Sequence, residues 1–195
     1  MQKNNPIKTK IMATIAIQGK LFSFHHLAAQ KQFGEKNNWQ HCQNFDELLH
    51  AVATKKVNKG IIAVENSLVG NVADNYERIS TMNLKIIGEI NLPIQLHLAA
   101  RRGTQISDLR IAYSHPVALA ECSNFLSKNK MIVPTDFSDT AGAIRWVAEQ
   151  QQMNQNLDIA AIGGIEAINY YGLQAIKKNI HDHHNNTTKF LAITL

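Results

Sequence analysis

Short apolar runs alternate with segments of helical periodicity along most of the 195-residue chain. The apolar runs predict strands at residues 14–18, 59–64, 84–90, 94–100, 109–113, 131–134, 158–162 and 189–195. The periodic segments predict helices at residues 26–33, 45–57, 72–82, 116–126, 140–149 and 165–171. Strands that alternate with helices are typical of a parallel-rich α/β sheet with both faces covered.

The predicted elements fall into two sets, which favours two small α/β lobes. We expect residues 13–93 together with 181–195 to form the first lobe, and residues 94–180 to form the second. The chain would cross between the lobes at residues 92–95, and the last strand would rejoin the first lobe. A cleft between two such lobes is the natural place for a small-molecule ligand.

The charge pattern does not indicate a nucleic-acid partner. The net charge is +5, but Lys3, Lys8 and Lys10 all lie in residues 1–12, which we expect to form a flexible polar leader. The other basic residues are scattered, without the clusters and interleaved aromatic residues that bind nucleic acids. We therefore expect no nucleic-acid partner.

The cysteines and the apolar runs indicate a soluble, cytoplasmic protein. Cys42 and Cys122 are isolated, without the CxxC spacing of zinc or redox motifs, and favour two free thiols in a reducing compartment. The apolar stretch at residues 13–17 is too short for a signal peptide, and no run approaches membrane-spanning length. We expect no association with a membrane.

Small hydroxyl residues stand at three places where a predicted strand gives way to a predicted helix. These are Ser23, Ser114 with His115 and Pro116, and Ser138 with Asp139 and Thr140. Ligands of open α/β sheets gather at the carboxyl ends of strands, where helix N-termini offer unpaired N–H groups to anions. The pattern indicates an anionic small-molecule ligand, although each residue taken alone also fits a helix cap.

Glu65, Asn66 and Ser67 directly follow the predicted strand at residues 59–64. Polar residues in this position belong either to a ligand site or to a turn that their own side chains stabilise. The pattern alone leaves both interpretations open.

Two further signals are absent or weak. His181, His183 and His184 cluster in what reads as a polar loop, without the ligand spacing of a zinc site, so we expect no metal. Gly163 and Gly164 are not followed by the Lys-Ser or Lys-Thr pair of a phosphate-binding loop.

Eight segments taken together resemble the prephenate dehydratase family. They are IAIQG at 15–19, SFHHLAA at 23–29, VENS at 64–67 with Gly70, GE at 88–89, SHP at 114–116, DTA at 139–141, YGL at 171–173 and NTTKF at 186–190. Each segment alone is a weak signal, but eight in the family's order span essentially residues 13–195.

The resemblance implies a fold and an activity. The fold would be two α/β lobes like those of type II periplasmic binding proteins, with the active-site cleft between them. The activity would be the decarboxylative dehydration of prephenate to phenylpyruvate, water and CO2 in L-phenylalanine biosynthesis, with no cofactor. A homodimer is the assembly that the resemblance suggests.

The resemblance also implies a set of site residues. The family's Thr-Arg-Phe signature matches Thr188, Lys189 and Phe190, so Thr188 would be the catalytic hydroxyl that assists departure of the ring hydroxyl group. Lys189 and Phe190 would contact the substrate. The other residues expected to bind the substrate are Ser23, Glu65, Asn66, Ser67, Ser114, His115 and Thr140.

The chain departs from the family pattern at two positions. Lys189 replaces an arginine, which keeps the charge but loses bidentate geometry, so we expect Lys189→Arg to lower KM or raise turnover. Phe22 replaces a glycine that suits a positive φ or a close approach. A phenyl ring there would narrow the cleft mouth or strain the loop.

The chain ends where the catalytic part of the family ends, so we expect no ACT-type regulatory domain, by truncation or by nature. Two alternatives to an active dehydratase stay open. One is a prephenate decarboxylase that does not aromatise the ring. The other is a non-catalytic carboxylate-binding module on the same fold.

Overall fold

The structure is a computed structural model that describes residues 13–153 and 158–195. Within them the strands are β1 Thr14–Gln18, β2 Asn38–Cys42, β3 Lys59–Asn66, β4 Gly70–Asn71, β5 Lys85–Pro93, β6 His97–Ala100, β7 Ile111–Ser114, β8 Val133–Asp136, β9 Ile159–Gly163, β10 Gln174–Lys177 and β11 Thr187–Thr194. The helices are α1 Phe24–Phe33, α2 Phe45–Ala53, α3 Asn75–Thr81, α4 Pro116–Ala120, α5 Ser123–Lys128, α6 Thr140–Gln152 and α7 Ile165–Tyr170, with a 3-10 turn at Ile106–Asp108. The predicted leader, residues 1–12, lies outside the described residues.

The strands form two sheets, as the α/β prediction requires. The first has the order β2-β1-β3-β11-β5, with β4 paired to β3. The second has the order β10-β6-β9-β7-β8. Strands β1, β2 and β3 run parallel, as do β7, β8 and β9, while β11 and β6 pair with their neighbours in antiparallel fashion. The sheets are therefore mixed, which corrects the parallel-rich expectation.

Helices cover both faces of the first sheet, because successive apolar side chains of its strands point to opposite faces and both sets must be buried. In β1, Ile15 and Ile17 pack with Ala28 and Ala29 of α1. Ala16 between them points to the other face, where it joins the core that includes α2. The second sheet likewise has separate apolar clusters that include residues of α4 and of α6. None of the helices within the described ranges is long and apolar enough to span a membrane.

The chain passes between the sheets twice, and the two passing segments are joined to each other. The Ile94 N–H donates to the Asn186 carbonyl, and the Ile180 N–H donates to the Leu96 carbonyl, both at 2.9 Å. His181 is buried here, and its Nδ1 accepts the Leu96 N–H at 3.3 Å. The sequence predicts a polar loop at this histidine, but its ring instead supplies the acceptor that a buried backbone N–H requires.

The division of the strands supports the two-lobe assignment. The first sheet draws its strands from residues 14–93 and 187–194, and the second from residues 97–177. We propose on this basis that residues 13–93 with 181–195, and residues 94–180, are the two lobes.

Phe22 links the two halves of the molecule. Its φ is +62°, so this phenylalanine occupies a left-handed conformation that favours glycine. Its ring packs on Tyr170 of α7 with centroids 4.4 Å apart, and on His26 at 5.3 Å. Of the two expectations for Phe22, a narrowed cleft mouth or a strained loop, the backbone conformation supports the strained loop. The Phe22 ring also contributes to packing between the first lobe and α7.

A pair of substitutions separates the strain at Phe22 from the packing of its ring. Both Phe22→Ala and Phe22→Gly remove the ring, but only glycine relieves the left-handed backbone. We expect Phe22→Gly to be about 1 kcal/mol more stable than Phe22→Ala, measured by urea unfolding. A glycine variant less stable than the alanine variant would show that residue 22 is not held at positive φ.

Candidate active site

A cavity of about 290 Å³ opens between the two lobes. Six of the residues predicted from the sequence line it, namely Ser23, Asn66, His115, Thr140, Thr188 and Phe190. They come from different elements of both lobes, so the cavity exists only when the two sheets stand next to each other.

A buried network of amide and hydroxyl groups lies beside this cavity. Asn66 Nδ2 donates to Thr188 Oγ1 at 2.9 Å and to Asn186 Oδ1 at 2.7 Å. Asn66 Oδ1 accepts the N–H groups of Leu68 and Val69 at 2.9 and 3.2 Å. Because the Thr188 oxygen accepts a hydrogen bond from the amide, its own proton is available for donation to a ligand.

The network continues into the second lobe through Glu121, the residue directly after α4. Asn186 Nδ2 donates to Glu121 Oε2 at 2.9 Å. Glu121 also lines the cavity. Burial raises the pKa of Glu121, while the hydrogen bond from Asn186 and the charge of His183 oppose the rise. The environment of Glu121 therefore favours the protonated carboxyl group more than water does.

Aromatic rings form one apolar wall of the cavity. The His25 ring lies edge-on to Phe190, with centroids 5.0 Å apart, and 5.6 Å from Phe45. Burial lowers the pKa of His25 to about 3, so its ring is neutral at physiological pH. His25 Nε2 accepts the Ala63 N–H at 3.2 Å, which places the ring proton on Nδ1. These rings suit a flat, apolar ligand group.

Two longer helices begin at the cavity, each with a side chain that caps it. Ser23 Oγ accepts the His26 N–H at the start of α1, at 3.3 Å. Asp139 Oδ1 accepts the Gly142 N–H at the start of α6, at 2.7 Å. The capping interpretation is therefore correct for both residues, and both also line the cavity.

His115 caps the short helix α4. Its Nδ1 accepts the Val117 N–H at 3.3 Å. Burial lowers the pKa of His115, while the charges of Asp139 and Asp136 oppose the change. His115 therefore serves the cavity wall as a neutral ring rather than as a cation.

Four residues predicted for the site do not line the cavity. Ser67 accepts the Thr187 N–H at 3.0 Å and donates to the Asn185 carbonyl at 3.3 Å. Ser114 is fully buried and donates to the Ile162 carbonyl at 2.6 Å. Both serines stabilise the backbone next to the cleft. The other two residues, Glu65 and Lys189, form an ion pair away from it.

The Lys189 ammonium group lies 3.4 Å from Glu65 Oε2 and 3.9 Å from Glu89 Oε1. Side chains alternate between the faces of a strand, so Thr188 and Phe190 of β11 reach the cavity while Lys189 points to the opposite face. The charges of Glu89, Tyr76 and Glu65 raise the pKa of Lys189. The predicted contact between Lys189 and a substrate carboxylate is therefore replaced by contacts with two side-chain carboxylates.

The sequence prediction missed several residues that form the cavity. Glu121 directly follows α4, Phe45 begins α2, and Gln18 ends β1. Only the end-of-strand position of Gln18 carries a signal in the sequence. Glu121 is brought to the site by packing between lobes, which residue spacing does not reveal.

The mostly apolar cavity lining, taken over the described residues, carries two carboxylic acids and no positively charged lysine or arginine side chain. The two acids are Glu121 and Asp139. Among all the residues that the structure describes, no three His, Cys, Asp or Glu side chains lie close enough to hold a metal ion.

Comparisons with known proteins agree with this architecture. The family model described as prephenate dehydratase matches residues 15–195. The protein "Arogenate dehydratase/prephenate dehydratase 2, chloroplastic" of Arabidopsis thaliana is 36% identical over 179 residues, which cover 92% of this chain and 45% of that protein. The chain thus spans a little less than half the length of this relative.

Two solved structures share the fold. The prephenate dehydratase of Arthrobacter aurescens in complex with L-Phe matches with a TM-score of 0.81 and 24% identity, over 93% of this chain and 60% of that one. GqqA, described as a novel type of quorum quenching acylase, matches with a TM-score of 0.76 and 28% identity, over 93% of this chain and 63% of that one. The family match covers both sheets and the cavity between them, so the chain belongs to the prephenate dehydratase family.

Proposed function

We propose that the chain catalyses the decarboxylative dehydration of prephenate to phenylpyruvate, water and CO2, a lyase reaction of aromatic amino-acid biosynthesis. The observation that carries the proposal is the Thr188 hydroxyl group, which accepts a hydrogen bond from Asn66 at the edge of an apolar cavity between the lobes. A cytoplasmic homodimer is part of the same proposal.

Thr188 would assist the departure of the ring hydroxyl group, which is a poor leaving group. The amide of Asn66 fixes the orientation of the Thr188 oxygen, so the threonine proton can point at the leaving oxygen. Both residues are less than a tenth exposed, and a fixed donor in a dry site stabilises developing negative charge more than water does.

The aromatic wall would hold the six-membered ring of the substrate. Loss of CO2 and of the hydroxyl group makes that ring planar and aromatic. Packing against this wall of Phe190, His25 and Phe45 would therefore favour the flat, product-like ring of the transition state, and such preferential binding accelerates a reaction.

The substrate carboxylates would bind at the starts of α1 and α6. The first turn of a helix presents unpaired N–H groups and the positive end of the dipole. Thr140 adds a hydroxyl group at the start of α6, whereas the Ser23 hydroxyl group at the start of α1 already donates to the Gln18 carbonyl. In this arrangement the carboxylates need no lysine or arginine in the cavity lining.

Arogenate carries an ammonium group where prephenate carries a keto group, and the Arabidopsis relative bears both activities in its name. The carboxyl groups of Glu121 and Asp139 in the cavity lining are compatible with an ammonium group as well. Both compounds are therefore required as substrates in any assay of the chain.

Hydrolytic acyl transfer, suggested by the name of GqqA, has less support at this cavity. Ser23 is the serine among the described lining residues, and its hydroxyl donates to the Gln18 carbonyl at 3.3 Å. A nucleophilic serine requires a base as its hydrogen-bond partner, and Ser23 is bonded to backbone instead.

The proposal is tested by incubating purified chain with prephenate, and separately with arogenate, and identifying the products by NMR. We expect phenylpyruvate from prephenate at a rate well above the spontaneous one, without added metal. A product that keeps its ring hydroxyl group would indicate a non-aromatising decarboxylase. Ligand-induced thermal stabilisation without any product would indicate a binding module.

Substitution of Thr188 tests its proposed role. Thr188→Val keeps the shape but removes the hydroxyl group, so kcat should fall by about 100-fold or more, the usual contribution of a positioned proton donor. Thr188→Ser is the matched control, because it keeps the hydroxyl group, and it should retain most of the wild-type kcat. Equal activity of the valine and serine variants would exclude catalysis by the Thr188 hydroxyl group.

The geometry reverses the expectation for Lys189→Arg. Because Lys189 faces Glu65 and Glu89 rather than the cavity, Lys189→Arg and Lys189→Met should leave kcat and KM for prephenate within about threefold of wild type, as expected for exposed ion pairs of small energy. Steady-state kinetics of the two variants provide the measurement. A rise in KM of tenfold or more in Lys189→Met would show that Lys189 does contact the substrate.

A further inference from the structure

The proposed reaction consumes a proton. Prephenate carries two carboxylates, whereas the products are phenylpyruvate with one carboxylate, neutral CO2 and water. The departing hydroxide must therefore gain one proton in every turnover, and the same balance holds for arogenate. Thr188 can transfer its proton to the leaving oxygen, but its hydroxyl group must then regain a proton from another group. Thr188 is therefore not the net source of the proton that the reaction consumes.

Few groups in the cavity are candidates to supply that proton. Burial lowers the pKa of His25 to about 3 and also lowers that of His115, so both rings are neutral. Asp139 uses its carboxylate oxygen to accept the Gly142 N–H at 2.7 Å as the cap of α6. Glu121 remains as the other carboxylic acid among the described lining residues.

Glu121 has the environment of an acid. It lines the cavity and joins the same network as Thr188, through Asn186 and Asn66. Burial raises its pKa, which retains the proton to a higher pH than an exposed glutamate allows. A carboxylic acid kept protonated by burial next to the reacting group is a recurrent general acid in enzymes.

We propose that Glu121 donates the proton that converts the departing hydroxyl group of the substrate into water. The inference rests on the proposed dehydratase function. In this step the bond between the ring carbon and its hydroxyl oxygen breaks, and the oxygen takes the Glu121 proton. The electron pair of the bond to the ring carboxylate moves into the ring, CO2 leaves, and Glu121 is left as a carboxylate that regains its proton from solvent.

Several charged or titratable groups surround Glu121 and bear on its protonation. From the returning segment, Asn186 donates to its carboxylate, and the charge of His183 also lowers its pKa. The Asp182 N–H donates to the Glu121 carbonyl, and its carboxylate is held by Ser123 Oγ at 2.7 Å. The buried thiol of Cys122 follows Glu121 directly in the chain, and Asp139 also lines the cavity.

Glu121→Gln is the sharpest test, because glutamine keeps the shape and can still accept from Asn186 but has no acidic proton. We expect kcat to fall by about 100-fold or more with KM within a few-fold of wild type. Only protonated Glu121 is active, so wild-type kcat should decrease as the pH rises through the pKa of Glu121. This limb of the pH profile should be absent in the glutamine variant.

Asp139→Asn is the matched control, because asparagine also caps helices and removes the other carboxylate from the cavity lining. The Asp139→Asn variant should keep the decrease in kcat at rising pH, whatever the substitution does to KM. Glu121→Ala provides a second variant, in which added formate should restore part of the lost kcat by entering the vacated space as an acid. Thermal unfolding of each variant verifies that it is folded.

The outcomes separate this inference from the function on which it rests. Wild-type kcat and an unchanged pH profile in Glu121→Gln would overturn the inference and leave the dehydratase in place. A loss confined to arogenate, with prephenate turnover unchanged, would overturn it in favour of a group that recognises the substrate ammonium. No turnover of either compound by the wild-type chain would overturn the proposed function and the inference together.

Discussion

The site depends on one buried interaction, in which the Asn66 amide donates to both Asn186 and Thr188. Asn66, Asn186 and Thr188 are 7%, 1% and 8% exposed. Buried polar groups are costly unless they are hydrogen-bonded, so these three side chains hold one another in place. Since Asn186 also bonds Glu121 of the other lobe, a correct arrangement of Thr188 requires that both lobes be folded and adjacent.

Strand β11 makes this arrangement possible, because the chain returns from the second lobe and enters the first sheet between β3 and β5. Its register with β3 pairs Thr188 with Asn66 and Lys189 with Glu65. Side-chain alternation then directs the first pair to the cleft and the second pair to the opposite face. The same strand thus separates the proposed chemistry from a surface ion pair of small energetic weight.

The sequence predicts much of this architecture from local patterns. β1 has the predicted bounds, because Ile15, Ala16 and Ile17 form an apolar run that both faces of the sheet bury. β2 and β10 carry few apolar residues and are formed through pairing with β1 and β6. Such strands lack a local signal, because tertiary context determines them.

The sequence predicts the candidate site only in part, because the faces of the last strand and the long-range contacts between the lobes are not visible in it. The family motif leads to Thr188 and Asn66, but the sequence pattern starts the last strand at residue 189. The structure starts it at Thr187, so that Thr188 also belongs to the strand and shares the face of Phe190, opposite to Lys189. Glu121 occupies the end of a short helix, and its role depends on a neighbour 65 positions away in the chain, which no local pattern records.

The central claim is that the cavity beside Thr188 holds the reacting ring between the lobes. The most direct measurement is a crystal structure of the wild-type chain with phenylpyruvate bound. We predict that the phenyl ring lies against Phe190, with the Thr188 oxygen about 3–4 Å from the ring carbon opposite the side chain. Binding outside the cleft, or with the side chain rather than that ring carbon next to Thr188, would contradict it.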